Sequence, residues 1–271
     1  MSVIGYDLFF ELFGSGEAPG ARGQIYSTPA DRPALLALAR TMRSRTVIEF
    51  GVQEGRTAAL LLRECPWIER YVGIDVPADF APALVIQLPE VPQIAGHRAA
   101  GDGRFELLIA EGGSRTLSPS DLPDRVDLVY IDGSHAEADV RHDTALARAA
   151  MPLGGVIVWH DYPSCIGVQR VIDQLNDAEG DHIALIEGTW ICFELFRGNA
   201  CGALGSSLPS DPTGMAAVAG RAEYSPDATA PVAGAAQQES GVPPSGGLAP
   251  QASSRLQDRP AEPFGGGVPC A

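Results

Sequence analysis

The hydrophobic residues of positions 1–198 fall into two kinds of run. Short apolar runs rich in β-branched residues end at a polar residue or a glycine, which is typical of buried strands, whereas apolar residues three and four positions apart are typical of helices. This pattern predicts strands at 46–50, 71–76, 105–110, 126–131, 154–159, 183–188 and 190–196. It predicts helices at 27–43, 56–65, 136–150 and 167–176, and a short helix near 81–87. Strands that alternate with helices and close with an antiparallel pair predict an α/β three-layer sandwich.

Composition divides the chain into three segments. An apolar N-terminal arm, residues 1–24, is expected to pack on the domain or on a second copy of the chain, as a homodimer contact. The α/β domain spans residues 25–198. The acidic tail, residues 199–271, is rich in Ala, Gly, Pro and Ser and lacks a hydrophobic period. Because such a tail cannot bury enough apolar area to offset its ordering entropy, we predict that it is disordered.

The charge and cysteine content exclude several classes of function. A net charge of -15 opposes binding to phosphate backbones, so a nucleic-acid partner is not expected. The basic residues are all arginines, so no lysine is available as a general base. The five cysteines are scattered without a CxxC pair, which favours a reducing cytoplasm over a disulfide framework or a zinc site. No segment is typical of a signal peptide or a membrane span.

The stretch 47–57 is the pattern of a strand, a glycine turn and a helix. Its glycines, Gly51 and Gly55, let the backbone approach a ligand closely. A dinucleotide-binding turn would have a further glycine between them, and the carboxylate of Glu49 would repel a pyrophosphate. That carboxylate suits a donor group, such as the amino group of S-adenosylmethionine.

Polar or glycine residues follow the next four predicted strands as well. They are Asp75, the Gly112–Ser114 loop, Asp132 and the pair His160 and Asp161. The carboxyl ends of parallel strands line one crevice, and an acid after the second strand typically binds a ribose. We therefore predict an adenosine-type ligand in this crevice. The long connection 77–101 is the predicted lid on the substrate side.

Five motifs in this order carry a resemblance to a known family. They are IEFG with GRT in 48–57, GID in 73–75, GGS in 112–114, VYIDGSH in 129–135 and GGVIVWHDY in 154–162. Over about 25–196 the chain resembles class I S-adenosylmethionine-dependent methyltransferases, in particular the methyltransferase-24 family and, more distantly, catechol O-methyltransferase. The resemblance implies a Rossmann-like α/β/α sandwich with a mostly parallel sheet and a C-terminal antiparallel strand.

The resemblance also implies a cofactor site for S-adenosylmethionine. Its predicted residues are Glu49, Gly51, Gly55 and Thr57 at the methionine part, Asp75 at the ribose, Gly112, Gly113 and Ser114 at the adenine, and Asp132 below the transferring methyl group.

Catechol-type enzymes hold a divalent cation at positions that match Asp132, His160 and Asp161. Oxygen ligands suit Mg²⁺, and a histidine moves the preference toward Mn²⁺, Fe²⁺ or Zn²⁺. The alternative is that His160 and Asp161 cap the following segment or hydrogen-bond a neighbouring loop. The same enzymes use a lysine three residues after the first metal acid as general base. Here that position is His135, which together with Asp132 forms the predicted catalytic pair.

The leading hypothesis is a methyltransferase that acts on a hydroxyl group of a small-molecule acceptor with the help of a divalent cation. A second hypothesis is a non-haem iron hydroxylase, because His135, His160 and one carboxylate have the composition of an iron site. A third is a non-catalytic binding domain.

Overall fold

One mixed sheet of eight strands organises the residues described by a computed structural model of the chain, which are 1–19, 26–180 and 182–198. The strands are β1 (Ser2–Ile4), β2 (Thr46–Phe50), β3 (Arg70–Asp75), β4 (Phe105–Ile109), β5 (Leu128–Ile131), β6 (Gly155–Trp159), β7 (Ile183–Ile186) and β8 (Cys192–Phe196). Their order in the sheet is β1-β7-β8-β6-β5-β2-β3-β4. Strand β8 runs antiparallel to both neighbours and the other pairings are parallel. The predicted tail, 199–271, lies outside the described residues.

Five α-helices cover the two faces of the sheet in these residues: α1 (Tyr6–Phe13), α2 (Asp31–Met42), α3 (Arg56–Glu64), α4 (Glu137–Ala150) and α5 (Ile166–Glu179). Successive residues of a strand point to opposite faces. In β2, Val47 packs in the core shared with α1, α2 and α3, and Ile48 packs in the core shared with α4 and α5. The predicted Rossmann-like three-layer sandwich, with its antiparallel strand near the C-terminal end, is confirmed.

The N-terminal segment is built into this sheet. Strand β1 pairs in parallel with β7, with Ser2 opposite Ala184. Helix α1 then buries Phe9 completely, and its ring lies 5.8 Å from the ring of Phe193. Strand β1 was not predicted from the sequence, because three residues carry too little pattern and the partner strand lies far along the chain. The homodimer contact stays a prediction.

The insertion between β3 and β4 differs most from its predicted form. A helix was predicted near 81–87, and the structure has a 3₁₀-helix at Val85–Glu90. Pro89 inside this segment removes a backbone donor, which is incompatible with a continuing α-helix.

The sheet reverses its order of connection between β2 and β5. From β2 the chain adds β3 and β4 on one side, and β5 and β6 lie on the other side. A ligand of an open α/β sheet binds at such a switch point, outside the carboxyl ends of the strands. No helix of the described residues is long and apolar enough to cross a membrane.

Candidate active site

The glycine turn after β2 lies directly against the end of β5. Gly51 has a φ of 81°, and a Cβ on it would lie 2.2 Å from the backbone oxygen of Asp132. Gly55 has a φ of 85°, and a Cβ there would lie 3.0 Å from the backbone of Gly96 in the insertion. Both positions therefore require glycine for their conformation as well as for the space around them.

The carboxyl group of Glu49 is buried below the turn. It accepts a hydrogen bond of 2.8 Å from the hydroxyl of Tyr71. Burial raises the pKa of Glu49 well above its ordinary value, and the Tyr71 bond opposes this rise only in part. Thr57, in the first turn of α3, accepts a hydrogen bond of 3.2 Å from Nε of Arg32.

Asp75 lies at the end of β3 and is tied to the same turn. One carboxylate oxygen accepts a hydrogen bond of 2.6 Å from the backbone amide of Gln53, and the other accepts one of 2.7 Å from Val76. Burial raises the pKa of Asp75, and these backbone bonds oppose the rise. A carboxylate oxygen can accept more than one hydrogen bond, so Asp75 keeps acceptor capacity for two vicinal hydroxyls.

The Gly112–Ser114 loop follows β4 and faces an aromatic side chain of the insertion. A Cβ on Gly113 would lie 3.2 Å from the ring of Phe80. Ser114 lies beside Asp143, a buried carboxyl of α4 whose pKa burial raises to about 7. The loop therefore places backbone that carries no side chain close to one aromatic ring.

Asp132, His160 and Asp161 meet at the ends of β5 and β6. Nδ1 of His160 lies 3.0 Å from a carboxylate oxygen of Asp132 and 3.0 Å from one of Asp161. Despite these distances, the buried Nδ1 has no partner with hydrogen-bond geometry. One ligand atom from each residue lies within 4.8 Å of the others. Asp161 has a φ of 63°, a left-handed conformation that is costly for a residue other than glycine.

The opposite ring nitrogen of His160 is held by a residue outside the predicted site. Nε2 lies 3.0 Å from a carboxylate oxygen of Asp31, at the start of α2. Asp31 also accepts hydrogen bonds from the backbone amides of Thr28 (2.5 Å) and Trp190 (2.9 Å). A carboxylate only accepts, so Nε2 carries the proton. Burial lowers the pKa of His160, but Asp132 and Asp161 outweigh it and raise that pKa well above its ordinary value. A cation at this position would take the place of the second proton on Nδ1.

His135 lies beside this cluster with both ring nitrogens in contact with other groups. Nε2 is 3.0 Å from a carboxylate oxygen of Asp161, and Nδ1 is 3.3 Å from the sulfur of Cys165. Burial lowers the pKa of His135, but the bonds to Asp161 and Cys165 outweigh it and raise the pKa to about 11. An imidazole that keeps its proton at neutral pH is a poor general base, so the structure adds a competing role for His135, the orientation of Asp161.

The insertion closes over His135 through one glutamine. The side-chain amide of Gln87 donates a hydrogen bond of 3.0 Å to the backbone oxygen of Gly133, and its oxygen accepts one of 3.0 Å from the backbone amide of His135. Gln53 donates to the backbone oxygen of Glu90 at 3.3 Å. The segment Val85–Glu90 thus connects the glycine turn with the loop after β5, and its role as a lid stays a prediction.

The predicted site residues therefore come together at one edge of the sheet, but several of their partners were not predicted. They are Asp31, Arg32, Phe80, Gln87, Glu90 and Cys165. A signal existed for Gln87, a single polar residue within the apolar run Leu84–Leu88. In the described chain, the side chains that lie close enough to hold one metal ion include His135 with Cys165 in one group and His160 with Asp132 in another. None combines the two histidines, as an iron hydroxylase site would.

Comparisons with known proteins give a family match over this region. Residues 48–162 match a family described as a methyltransferase domain, Methyltransf_24, and the matched range runs from β2 to the residue after Asp161. No curated protein matches the chain.

Solved structures similar to the chain include three methyltransferases. The O-methyltransferase TomG from Streptomyces achromogenes, in complex with S-adenosylmethionine, is 20% identical over 59% of this chain and 77% of its own, with a TM-score of 0.41. A methyltransferase from Podospora anserina with S-adenosylhomocysteine bound is 13% identical over 58% and 74%, with a TM-score of 0.42. An O-methyltransferase from Bacillus cereus in complex with S-adenosylhomocysteine is 17% identical over 58% and 77%, with a TM-score of 0.39.

Proposed function

We propose that this chain, which belongs to the class I S-adenosylmethionine-dependent methyltransferases, methylates an oxygen of a small-molecule acceptor and that a divalent cation held by Asp132, His160 and Asp161 assists it. The observation that carries the proposal is the buried Nδ1 of His160. It lies 3.0 Å from each of two carboxylate oxygens without a hydrogen-bonding partner.

These donors fit a divalent cation. Two carboxylates and one imidazole suit Mn²⁺ or Fe²⁺ and are compatible with Mg²⁺. A histidine ligand commonly donates its other ring nitrogen to a carboxylate, which fixes the ring and its tautomer. Asp31 stands in that position at 3.0 Å from Nε2 of His160. When bound, such an ion lowers the pKa of a hydroxyl that coordinates it.

Residues of the chain would align the reactants and accept the proton. In the reaction the bond between the sulfonium sulfur and the methyl carbon breaks, the acceptor oxygen bonds to that carbon, and the hydroxyl proton leaves. Alignment of sulfur, carbon and oxygen is therefore the chief demand. The glycine turn and Asp75 would fix the cofactor, and Asp132 would face the methyl group. Asp132, with 27% of its side chain exposed, is the proposed acceptor of the proton, and His135 orients Asp161.

Calorimetric titration with Mn²⁺ tests the cation site directly. We expect His160→Gln to abolish detectable binding, and Asp31→Asn to weaken it by about 10- to 100-fold through the loss of the supporting carboxylate. The matched control is His182→Gln, which removes the histidine of a second acidic cluster, with Glu179 and Glu194. Arg148 already lies 2.7 Å and 3.0 Å from those two carboxylates, so this variant should bind Mn²⁺ as the natural protein does.

Methyl transfer is then measured on hydroxylated aromatic acceptors before and after chelation. The proposal expects methyl ethers whose formation falls after treatment with a chelator and returns with Mn²⁺ or Mg²⁺. If methyl transfer is as fast after treatment with a chelator as before, the proposed role of the cation is wrong. Methylation only of nitrogen or carbon acceptors would remove the oxygen acceptor.

A further inference from the structure

Arg32 is a half-buried cation beside the glycine turn that none of the predicted roles uses. It is the second residue of α2, and its Nε donates to the hydroxyl of Thr57 in the first turn of α3, immediately after the glycine turn. The guanidinium is therefore held by one nitrogen, and its two terminal nitrogens remain as a fork of donors. Within the described part of the chain, no carboxylate lies within 4.0 Å of this guanidinium.

Acidic groups nevertheless surround Arg32 at longer range. Burial lowers the pKa of Arg32, and the nearby acidic groups Tyr130, Glu49 and Asp132 oppose this change. Glu49 lies on β2, two residues before Gly51, and is itself buried, with the hydroxyl of Tyr71 as its hydrogen-bonding partner. The crevice thus holds a cation and an acid that influence each other without touching. A guanidinium and a carboxyl group that a bound ammonium group would ionise are complementary to a zwitterion that lies between them.

The cofactor of this family carries such a zwitterion, the amino acid end of S-adenosylmethionine. We infer that the guanidinium of Arg32 binds the carboxylate of this end, while Glu49 accepts from its ammonium group. A guanidinium binds a carboxylate through two parallel hydrogen bonds, and the backbone amides in the first turn of α3 have no intrahelical acceptor and can add to the same anion. Arg32 is then the residue that makes the cofactor site specific for an intact amino acid.

The inference rests on the cofactor alone and needs neither the cation nor the acceptor of the proposed function. Its test uses two ligands, S-adenosylhomocysteine and its decarboxylated form, which keeps the adenosine and the amine but lacks the carboxylate. Calorimetry on the full chain without added metal should give tighter binding of S-adenosylhomocysteine by at least 10-fold, the effect of one charged hydrogen-bonded pair. Equal affinities for the two ligands would overturn the inference without any variant.

The variant Arg32→Gln should bind S-adenosylhomocysteine about 10- to 100-fold more weakly and bind the decarboxylated form within about 3-fold of the natural protein. The conservative variant Arg32→Lys should recover part of the preference for the carboxylate. Arg56→Gln is the matched control, since Arg56 begins α3 near the same turn but is paired with Glu54 at 2.8 Å. It should leave the ratio of the two affinities unchanged.

A purely structural Arg32, bracing α2 against α3 through Thr57, gives a different result. Arg32→Gln would then lower the affinity for both ligands by the same factor, and this outcome would overturn the inference. Circular dichroism at the temperature of the titrations identifies a variant that is unfolded. In that case the inference is tested by the ratio of the two ligand affinities of the natural protein alone. If methylation proved independent of a cation, the proposed function would be contradicted, but these ratios of ligand affinities would not change.

Discussion

At the scale of single residues, the sequence predicts positions whose demands are local. Gly51 is such a position, because a turn after an apolar strand already indicates the need for a left-handed backbone. Gly51 is also constrained by space, because a Cβ there would lie 2.2 Å from the backbone oxygen of Asp132. This contact is between the ends of two different strands, so the local sequence does not indicate it. Asp31 and His160 likewise meet across 129 positions of the chain. For this reason the strand-end acids could be predicted and the residues that orient them could not.

Gly51→Ala should disrupt the cofactor turn. A Cβ there meets backbone that cannot rotate away, and the φ of 81° is unfavourable for alanine. We expect a loss of about 3 kcal/mol or more in the free energy of unfolding, together with loss of binding of S-adenosylhomocysteine. Gly101→Ala is the control, because a Cβ on Gly101 has nothing within 4 Å, and it should change stability by less than about 0.5 kcal/mol. Urea unfolding and calorimetry measure both effects, and equal behaviour of the two variants would contradict this account.

Asp143 should make stability fall as the pH rises. Burial raises its pKa from 3.8 to about 7, so between these values the folded protein holds a proton that the unfolded chain has released. The folded state therefore loses on the order of 4 kcal/mol relative to the unfolded state as the pH rises through this window. Asp143→Asn should be about as stable as the natural protein at pH 4 and more stable at pH 8.

Urea unfolding at pH 4, 6 and 8 measures this difference. Asp177→Asn, an exposed position on α5, is the control and should follow the natural protein at each pH. A constant difference between Asp143→Asn and the natural protein across the three values would show that Asp143 does not titrate in this range.

At the scale of elements, helices and strands follow from the hydrophobic period, whereas the insertion between β3 and β4 does not. Its exposed apolar residues, among them Val85 and Leu88, give a run that is typical of a buried helix. The structure instead buries Gln87, because its side-chain amide hydrogen-bonds the backbone oxygen of Gly133 and the backbone amide of His135. A polar contact between distant loops, rather than an apolar face, fixes the position of this segment.

Gln87→Ala should therefore release the segment Val85–Glu90 from the site. Loss of the two hydrogen bonds to Gly133 and His135 should increase amide hydrogen exchange in this segment by about 10- to 100-fold. Gln93→Ala, at an exposed glutamine of the same insertion, should leave exchange at 85–90 unchanged. Protection that survives in Gln87→Ala would mean that other contacts hold the segment in place.

At the scale of the whole molecule, the sequence predicts the layers and the antiparallel strand but not how the N-terminal segment joins them. The predicted alternatives were packing on the domain and packing on a second copy. Phe9 is fully buried among Phe13 and Phe193 of the same chain, whereas the neighbouring Leu8 is 44% exposed. The helical period of α1 explains this difference, but the identity of its partner surface depends on strands almost two hundred positions away.

Phe9→Ala should lower the free energy of unfolding by about 3 to 5 kcal/mol, the usual cost of removing a buried phenylalanine ring. Leu8→Ala, one position earlier on the same helix, should cost less than about 1 kcal/mol because much of its surface already faces water. Urea unfolding at two protein concentrations measures both. A cost for Phe9→Ala no larger than that for Leu8→Ala would contradict its place in the core.

The pairing of β1 with β7 has a consequence for the order in which the protein folds. Ser2 leaves the ribosome long before its partner Ala184, which is made near the end of the domain. Contacts so far apart in sequence close large loops and form late, so β1 and the aromatic face of α1 must wait unpaired while the chain grows. The amide of Trp190, which supports Asp31 beside His160, arrives at the same late stage. Completion of the edge of the sheet and orientation of the His160 ring are thus expected as one final event of folding, and a nascent chain released before residue 196 would have neither.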